Sequence, residues 1–135
     1  KPSCESWFRH SGSVMSKTIL IVEDNELNMK LFNDLLQAHG YATLQVKDGR
    51  SVVEITRANR PDLILMDIQL PVIDGYEATR RIKGDPALNA IPIIAVTSYA
   101  LSGDEAKTRA AGCDGYVAKP FSPRELLQKV RTFLA

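Results

Sequence analysis

Four stretches of this chain close an apolar run on side chains able to do chemistry. Leu63-Ile64-Leu65-Met66 ends on Asp67, Lys17-Thr18-Ile19-Leu20-Ile21-Val22 on Glu23 and Asp24, Pro92-Ile93-Ile94-Ala95-Val96 on Thr97, and Tyr116-Val117-Ala118 on Lys119. Taken singly, an acid, a threonine or a lysine at the start of a loop is more often a helix cap or a solvated residue. Together, one set per run and in chain order, they point to a common site. Gathered carboxylates need a reason, because two like charges ~4 Å apart cost about 4 kcal/mol at an effective dielectric of 20, a large share of a total stability of roughly 5–15 kcal/mol. A cation would relieve that repulsion. Three acids with oxygen donors only suit a hard ion, and Mg²⁺, which keeps several waters and takes one or two carboxylates, is the natural candidate. A divalent ion beside a nucleophilic carboxylate, with a lysine and a hydroxyl to bind equatorial oxygens, is the equipment for phosphoryl transfer to Asp67.

The elements that must position these residues are read from period and punctuation. The Asp67 run lies between Pro61 and Pro71 and suits a strand buried on both faces, as in a parallel sheet, although periodicity alone leaves a short helix open. In open parallel sheets ligands bind outside the carboxyl ends of the strands, where Asp67 would sit. From Asn25 the period changes to that of a helix: Leu27, Leu31, Leu35 and Ala38, flanked by Met29, Phe32 and Leu36, mark its face, with Asn25 or Asp24 as N-cap and Gly40 as the stop. Tyr41 to Val46 alternates, with Ala42, Leu44 and Val46 on one side, the pattern of a less buried edge strand. Asp48-Gly49 turns into a second helix carrying Val52, Val53, Ile55 and Ala58. Asp74 to Lys83 forms a short third helix ended by Gly84 and Pro86, and roughly Asp104 to Ala111 a weakly amphipathic fourth ended by Gly112. The last helix has the clearest start, with Ser122 as N-cap, Pro123 at its first position and Glu125 completing a capping box. Its face is Leu126, Leu127, Val130, Phe133 and Leu134. Five strands alternating with five helices give a (βα)5 chain, hence a doubly wound α/β domain whose parallel sheet is covered on both faces.

With 135 residues and 44% hydrophobic content the chain fits one domain with one well-formed core. Residues 1–14 have neither period and precede Met15-Ser16-Lys17, which reads like a natural start; they are taken as an expression remnant or a disordered tail, leaving residues 15–135 as the domain. From Met15 onward acidic and basic side chains balance, so nothing supplies the basic face that nucleic-acid binding requires. No apolar run is long enough for a signal peptide or a membrane span, which predicts a cytoplasmic protein with no membrane partner. Two cysteines exclude a disulfide scaffold, and Cys113, after the fourth helix, is expected to be a small buried thiol. His39 is expected to be exposed or to complement the first helix's dipole, and Arg80, Arg81 and Lys83 to form a solvated helix face. Glu-Asp-Asn occupies the first turn, where dinucleotide and nucleotide folds carry glycines.

On these residues the chain resembles the CheY-like receiver domains of response regulators in two-component signalling, across essentially all of residues 17–135. The resemblance matches Glu23 and Asp24 to the family's acidic pair, Asp67 in Met66-Asp67-Ile68-Gln69-Leu70-Pro71 to its phosphoacceptor, Thr97 to its switch hydroxyl, Tyr116 to its switch aromatic and Lys119 to its lysine. Asp74-Gly75 and Lys119-Pro120-Phe121 match further. It implies a flavodoxin-like strand order 2-1-3-4-5 and a cis peptide between Lys119 and Pro120. It also implies a phosphohistidine donor on a histidine kinase or histidine phosphotransferase. Mg²⁺ would be bound by Asp24, Asp67 and the backbone carbonyl of Gln69, with Glu23 acting mainly through a metal-bound water. Lys119 and Thr97 would hold phosphoryl oxygens, and Thr97 moving inward would let Tyr116 turn and reshape the surface of helix four, strand five and helix five. Catalysis on this reading extends only to the domain's own phosphorylation and dephosphorylation, so the protein is a switch rather than an enzyme. Two positions depart from the commoner pattern: Glu23 stands where an aspartate is usual, and Ser98 where a smaller residue often borders the phosphoryl pocket.

Val22-Glu23-Asp24-Asn25-Glu26-Leu27-Asn28-Met29-Lys30-Leu31-Phe32 resembles the DivK group of single-domain regulators of bacterial cell division and polarity. Because the chain stops at Ala135, after the last helix, the expected output is another signalling protein docked on the helix-four to helix-five face. Asp74-Gly75-Tyr76-Glu77-Ala78-Thr79-Arg80 also resembles receivers of hybrid histidine kinases, which makes a receiver excised from such a kinase the alternative. From the enzyme class, a Mg²⁺-dependent phosphatase with Asp67 as covalent nucleophile would need a second carboxylate near it and a substrate cap. Ile68-Gln69 stand there instead, and no cap insertion exists.

Overall fold

The computed structural model describes residues 17–68, 74–97, 104–119 and 122–134. The tail at residues 1–14, Gln69, Pro71, Ser98, Tyr99 and the Lys119–Pro120 peptide therefore fall wholly or partly outside the described residues. Strands and helices alternate strictly: β1 (Thr18–Val22), α1 (Glu26–Ala38), β2 (Ala42–Val46), α2 (Gly49–Asn59), β3 (Leu63–Asp67), α3 (Gly75–Lys83), β4 (Ile93–Thr97), α4 (Asp104–Ala111), β5 (Gly115–Ala118) and α5 (Pro123–Leu134). Every strand pairing is parallel, in the order β2-β1-β3-β4-β5. Continuous apolar runs became the three inner strands and the alternating run became the edge strand β2, as burial on two faces or one requires.

The pleat sends successive residues to opposite faces, so the sheet carries two cores. Ile19, Ile21, Leu63 and Leu65 pack with Phe32, Leu36, Leu126 and Val130 from α1 and α5. Leu20, Ile64 and Met66 pack with Val52 of α2 and Ala78 and Ile82 of α3. Helix starts lie just beyond strand ends and are fixed by side-chain caps of about 1 kcal/mol each. Asn25 accepts from the Asn28 amide at 2.9 Å, Asp48 from Ser51 at 2.9 Å, Asp74 from Glu77 at 3.0 Å and Ser122 from Glu125 at 3.0 Å.

Two expectations need correction. The buried stripe of α1 is Met29, Phe32 and Leu36, whereas Leu27 and Leu31 are 67% and 55% exposed. At 3.6 residues per turn these stripes lie on nearly opposite sides of the helix, and only one can face the sheet; the one with the aromatic ring does. Lys83 is likewise no solvated base. Its Nζ donates to the Asn89 and Ile91 carbonyls at 3.1 and 2.9 Å and to Asp114 Oδ2 at 2.8 Å. Arg80 and Arg81 do remain at the surface, paired with Glu77.

Candidate functional site

After β1 the chain pairs β2 on one side and then crosses to place β3 on the other, so a crevice opens between the carboxyl ends of β1 and β3. Glu23 and Asp24 leave β1 at that point and Asp67 ends β3. One oxygen from each of the three carboxylates lies within 4.8 Å of the others. Glu23 and Asp67 are buried, at 1% and 3% exposure, and Asp24 is exposed. Lys119, leaving β5, donates to Glu23 Oε1 at 3.2 Å and reaches Asp67 Oδ2 at 3.5 Å. Backbone bonds hold these turns in register: Glu23 N to Val46 O at 3.0 Å, Ile68 N to Val96 O at 3.0 Å and Lys119 N to Thr97 O at 2.7 Å. The acids and Lys119 line an open groove of about 590 Å³ that extends onto the start of α1, with Leu27 and Asn28 at its edge.

Burial, followed by the neighbouring Asp67 carboxylate, pushes Glu23 up to about 7, against the pull of the Asn25 amide, 3.2 Å from its Oε2, and of Lys119. Burial is the larger cause, and the Asp67 carboxylate adds a like-charge repulsion that a cation would relieve. Three convergent carboxylates, one of them open to solvent, are a donor set that fits a hard divalent cation such as Mg²⁺. Lys119 alone does not balance them, and a carboxylate so placed can serve as an oxygen nucleophile toward an incoming phosphoryl group.

Thr97 is fully buried at the end of β4, one residue past Val96, the register partner of Asp67. Tyr116 lies one strand further out, paired with Ala95, and lines a separate groove of about 710 Å³ with Thr108, Arg109, Glu125 and Lys129. The sheet thus carries Thr97 between the acid crevice and the α4–α5 groove. Gln69 lies outside the described residues. Leu27 was read from the sequence as core, yet it stands at the groove's edge; the signal available was that Met29, Phe32 and Leu36 form the better helical stripe. Cys113 is a half-buried thiol 3.7 Å from Thr79 Oγ1, pushed up to about 11 by burial, as expected of a structural rather than a reactive cysteine.

The family model for the response regulator receiver domain matches residues 19–131. This chain belongs to that family. The receiver is 48% identical over 120 residues to the polar-differentiation response regulator DivK of Brucella anthropi, covering 89% of this chain and 98% of DivK. Among solved structures it is similar to the receiver domain of sensor histidine kinase PA1611 from Pseudomonas aeruginosa, with a TM-score of 0.83, 40% identity, and 88% of this chain and 98% of that one covered. That protein holds a magnesium ion coordinated in its active site cleft. The chemotaxis response regulator CheY4 of Vibrio cholerae aligns with a TM-score of 0.82 at 25% identity, over 87% of this chain and 98% of its own. The strand order of the receiver here, 2-1-3-4-5, is the flavodoxin-like one expected.

Proposed function

We propose that this receiver accepts a phosphoryl group on Asp67 from a phosphohistidine of a histidine kinase or histidine phosphotransferase and reports its state to a signalling protein, as a DivK-type regulator of polarity or cell division. The observation that carries the reading is the meeting of Glu23, Asp24 and Asp67 within 4.8 Å, with Lys119 against them, at the sheet's switch point. An Asp67 carboxylate oxygen attacks phosphorus, the phosphorus–nitrogen bond breaks, and the electron pair returns to the donor imidazole. Asp24 and Asp67, with the Gln69 carbonyl, would hold Mg²⁺, and Glu23 would act on it through water. When bound, the ion offsets negative charge on the phosphoryl oxygens. Lys119 and Thr97 bind those oxygens, and Lys119 needs only to leave Glu23 to do so. Thr97 drawn inward frees space for Tyr116, which changes the groove over β5 between α4 and α5. That groove is the output face, and no catalysis beyond the receiver's own phosphorylation and dephosphorylation is assigned to it.

Leu27 and Leu31 give the donor protein a place to dock. They are exposed apolar side chains on α1, with Leu27 at the mouth of the groove a phosphohistidine must enter. Among the described residues no helix is long and apolar enough to cross a membrane, in keeping with a cytoplasmic regulator. A second reading, a receiver within a hybrid histidine kinase, is favoured by the likeness to the PA1611 receiver; the full open reading frame separates the two. The functional reading predicts that a partner captured from the native cytosol binds the beryllofluoride-loaded receiver at least tenfold better than the unloaded one. Equal capture in both states would contradict a phosphorylation-gated output.

A further inference from the structure

Helix α3 starts against the end of the strand that carries Asp67. Its first residue, Gly75, donates its amide to the Ile68 carbonyl at 3.0 Å. A β-carbon on Gly75 would press on the Asp67 carbonyl oxygen, would lie 2.7 Å from Ile68 Cα and would lie 3.1 Å from the Asp67 carbonyl carbon. These are backbone atoms at the carboxyl end of β3, held on the β4 side: Asp67 is in register with Val96, and the Ile68 amide is bonded to Val96 O at 3.0 Å. No flexible side chain can give way. Asp74 fixes the helix from the other direction, capping the Glu77 amide at 3.0 Å. The peptide of Asp67 is therefore clamped between the sheet and the first turn of α3, in a gap only a residue without a side chain fits.

We infer that Gly75 is a positioning residue for the phosphoacceptor, letting α3 abut the Asp67 peptide and so aim the carboxylate at Asp24, Glu23 and Lys119. The inference rests on the assignment of Asp67 as the phosphoacceptor. A methyl group at position 75 has to push the helix start away or rotate the Asp67 peptide. Either shift misaims a carboxylate that must meet a metal, a lysine and a phosphorus atom together, and small misplacements in such sites carry large rate penalties.

The test compares Gly75→Ala with Gly84→Ala at the other end of α3, where an added β-carbon would lie 3.1 Å from the Arg80 carbonyl oxygen and far from the site in sequence. Both variants and the natural chain are labelled with acetyl phosphate and Mg²⁺, their Mg²⁺ affinity is measured calorimetrically, and their melting is recorded. Gly75→Ala should label at least tenfold more slowly and bind Mg²⁺ more weakly. Gly84→Ala should label within twofold of the natural chain whatever its melting temperature, which a merely structural role for Gly75 would not predict. Labelling of Gly75→Ala at the natural rate with unchanged Mg²⁺ affinity overturns the inference, whereas failure of the natural chain to label overturns the phosphoacceptor reading itself. Amide exchange in the natural chain gives a readout independent of the variant's folding. Saturation with Mg²⁺ and beryllofluoride should slow exchange at Gly75 at least threefold and leave Gly84 unchanged, and an unchanged Gly75 amide counts against the clamp.

Discussion

Two lysines at opposite ends of the sheet meet acids, and they meet them differently. At the amino ends of β4 and β5, Lys83 has three acceptors between 2.8 and 3.1 Å, and its partner Asp114 also takes the Ile93 amide at 3.0 Å. One cation faces one carboxylate, and the lysine's two other acceptors are backbone carbonyls. At the carboxyl ends Lys119 stands against Glu23 and Asp67 at 3.2 and 3.5 Å, with Asp24 beside them. That end holds three carboxylates against one lysine, and burial, followed by the neighbouring Asp67, lifts Glu23 to about 7. The first arrangement ties together α3, the turn before β4 and the turn before β5. The second is left electrostatically incomplete, as the proposed cation and phosphoryl group would require.

The largest effects should divide along this line. Lys119→Met is expected to slow labelling by a small phosphodonor on the order of 100-fold or more, the loss typical of removing one preorganised charge from a developing anion. Lys83→Met should leave labelling within about twofold and cost roughly 1–3 kcal/mol of stability in denaturant unfolding, because two carbonyls and a partly exposed acid lose their donor. Equal loss of labelling in the two variants would erase the distinction between the ends.

A smaller effect tests the charge excess itself. In chelator, Asp67→Asn should raise the melting temperature and Asp114→Asn should lower it, each by roughly 3–6 °C. The pH profile carries the same sign. Below the ordinary value of 4.5 Glu23 is protonated in folded and unfolded chains alike; between 4.5 and about 7 only the folded chain keeps the proton. Metal-free stability therefore falls as pH rises through that window and levels above it. Saturating Mg²⁺, which favours the ionised form, or Glu23→Gln should flatten the slope, and a flat profile in the natural chain under chelator would contradict the raised Glu23.

Much of this was legible in the sequence because runs of apolar residues and their punctuation report burial directly. β3 and α4 fall on the bounds read from the chain, and the caps at Asn25 and Ser122 were visible as residue types at the right spacing. The acids, Thr97 and Lys119 were visible too, since a parallel sheet makes every strand's carboxyl end part of one edge. What was not legible depends on which of two competing patterns packs. α1 carries leucines at one helical spacing and Met29, Phe32 and Leu36 at another, and the sheet accepts one of them. The role of Lys83 was hidden for a different reason, since its acceptors lie on turns that only the fold brings beside α3. Gly75 was visible as a match to a family motif, but its tight fit against the Asp67 peptide is a tertiary fact.

The incomplete end is proposed to receive a phosphoryl group on Asp67. Incubation of the natural chain with Mg²⁺ and a small phosphodonor, followed by intact mass, tests it most directly. One added phosphoryl group, absent in Asp67→Asn and absent in chelator, is the result predicted here; stoichiometric labelling that persists in Asp67→Asn would contradict it.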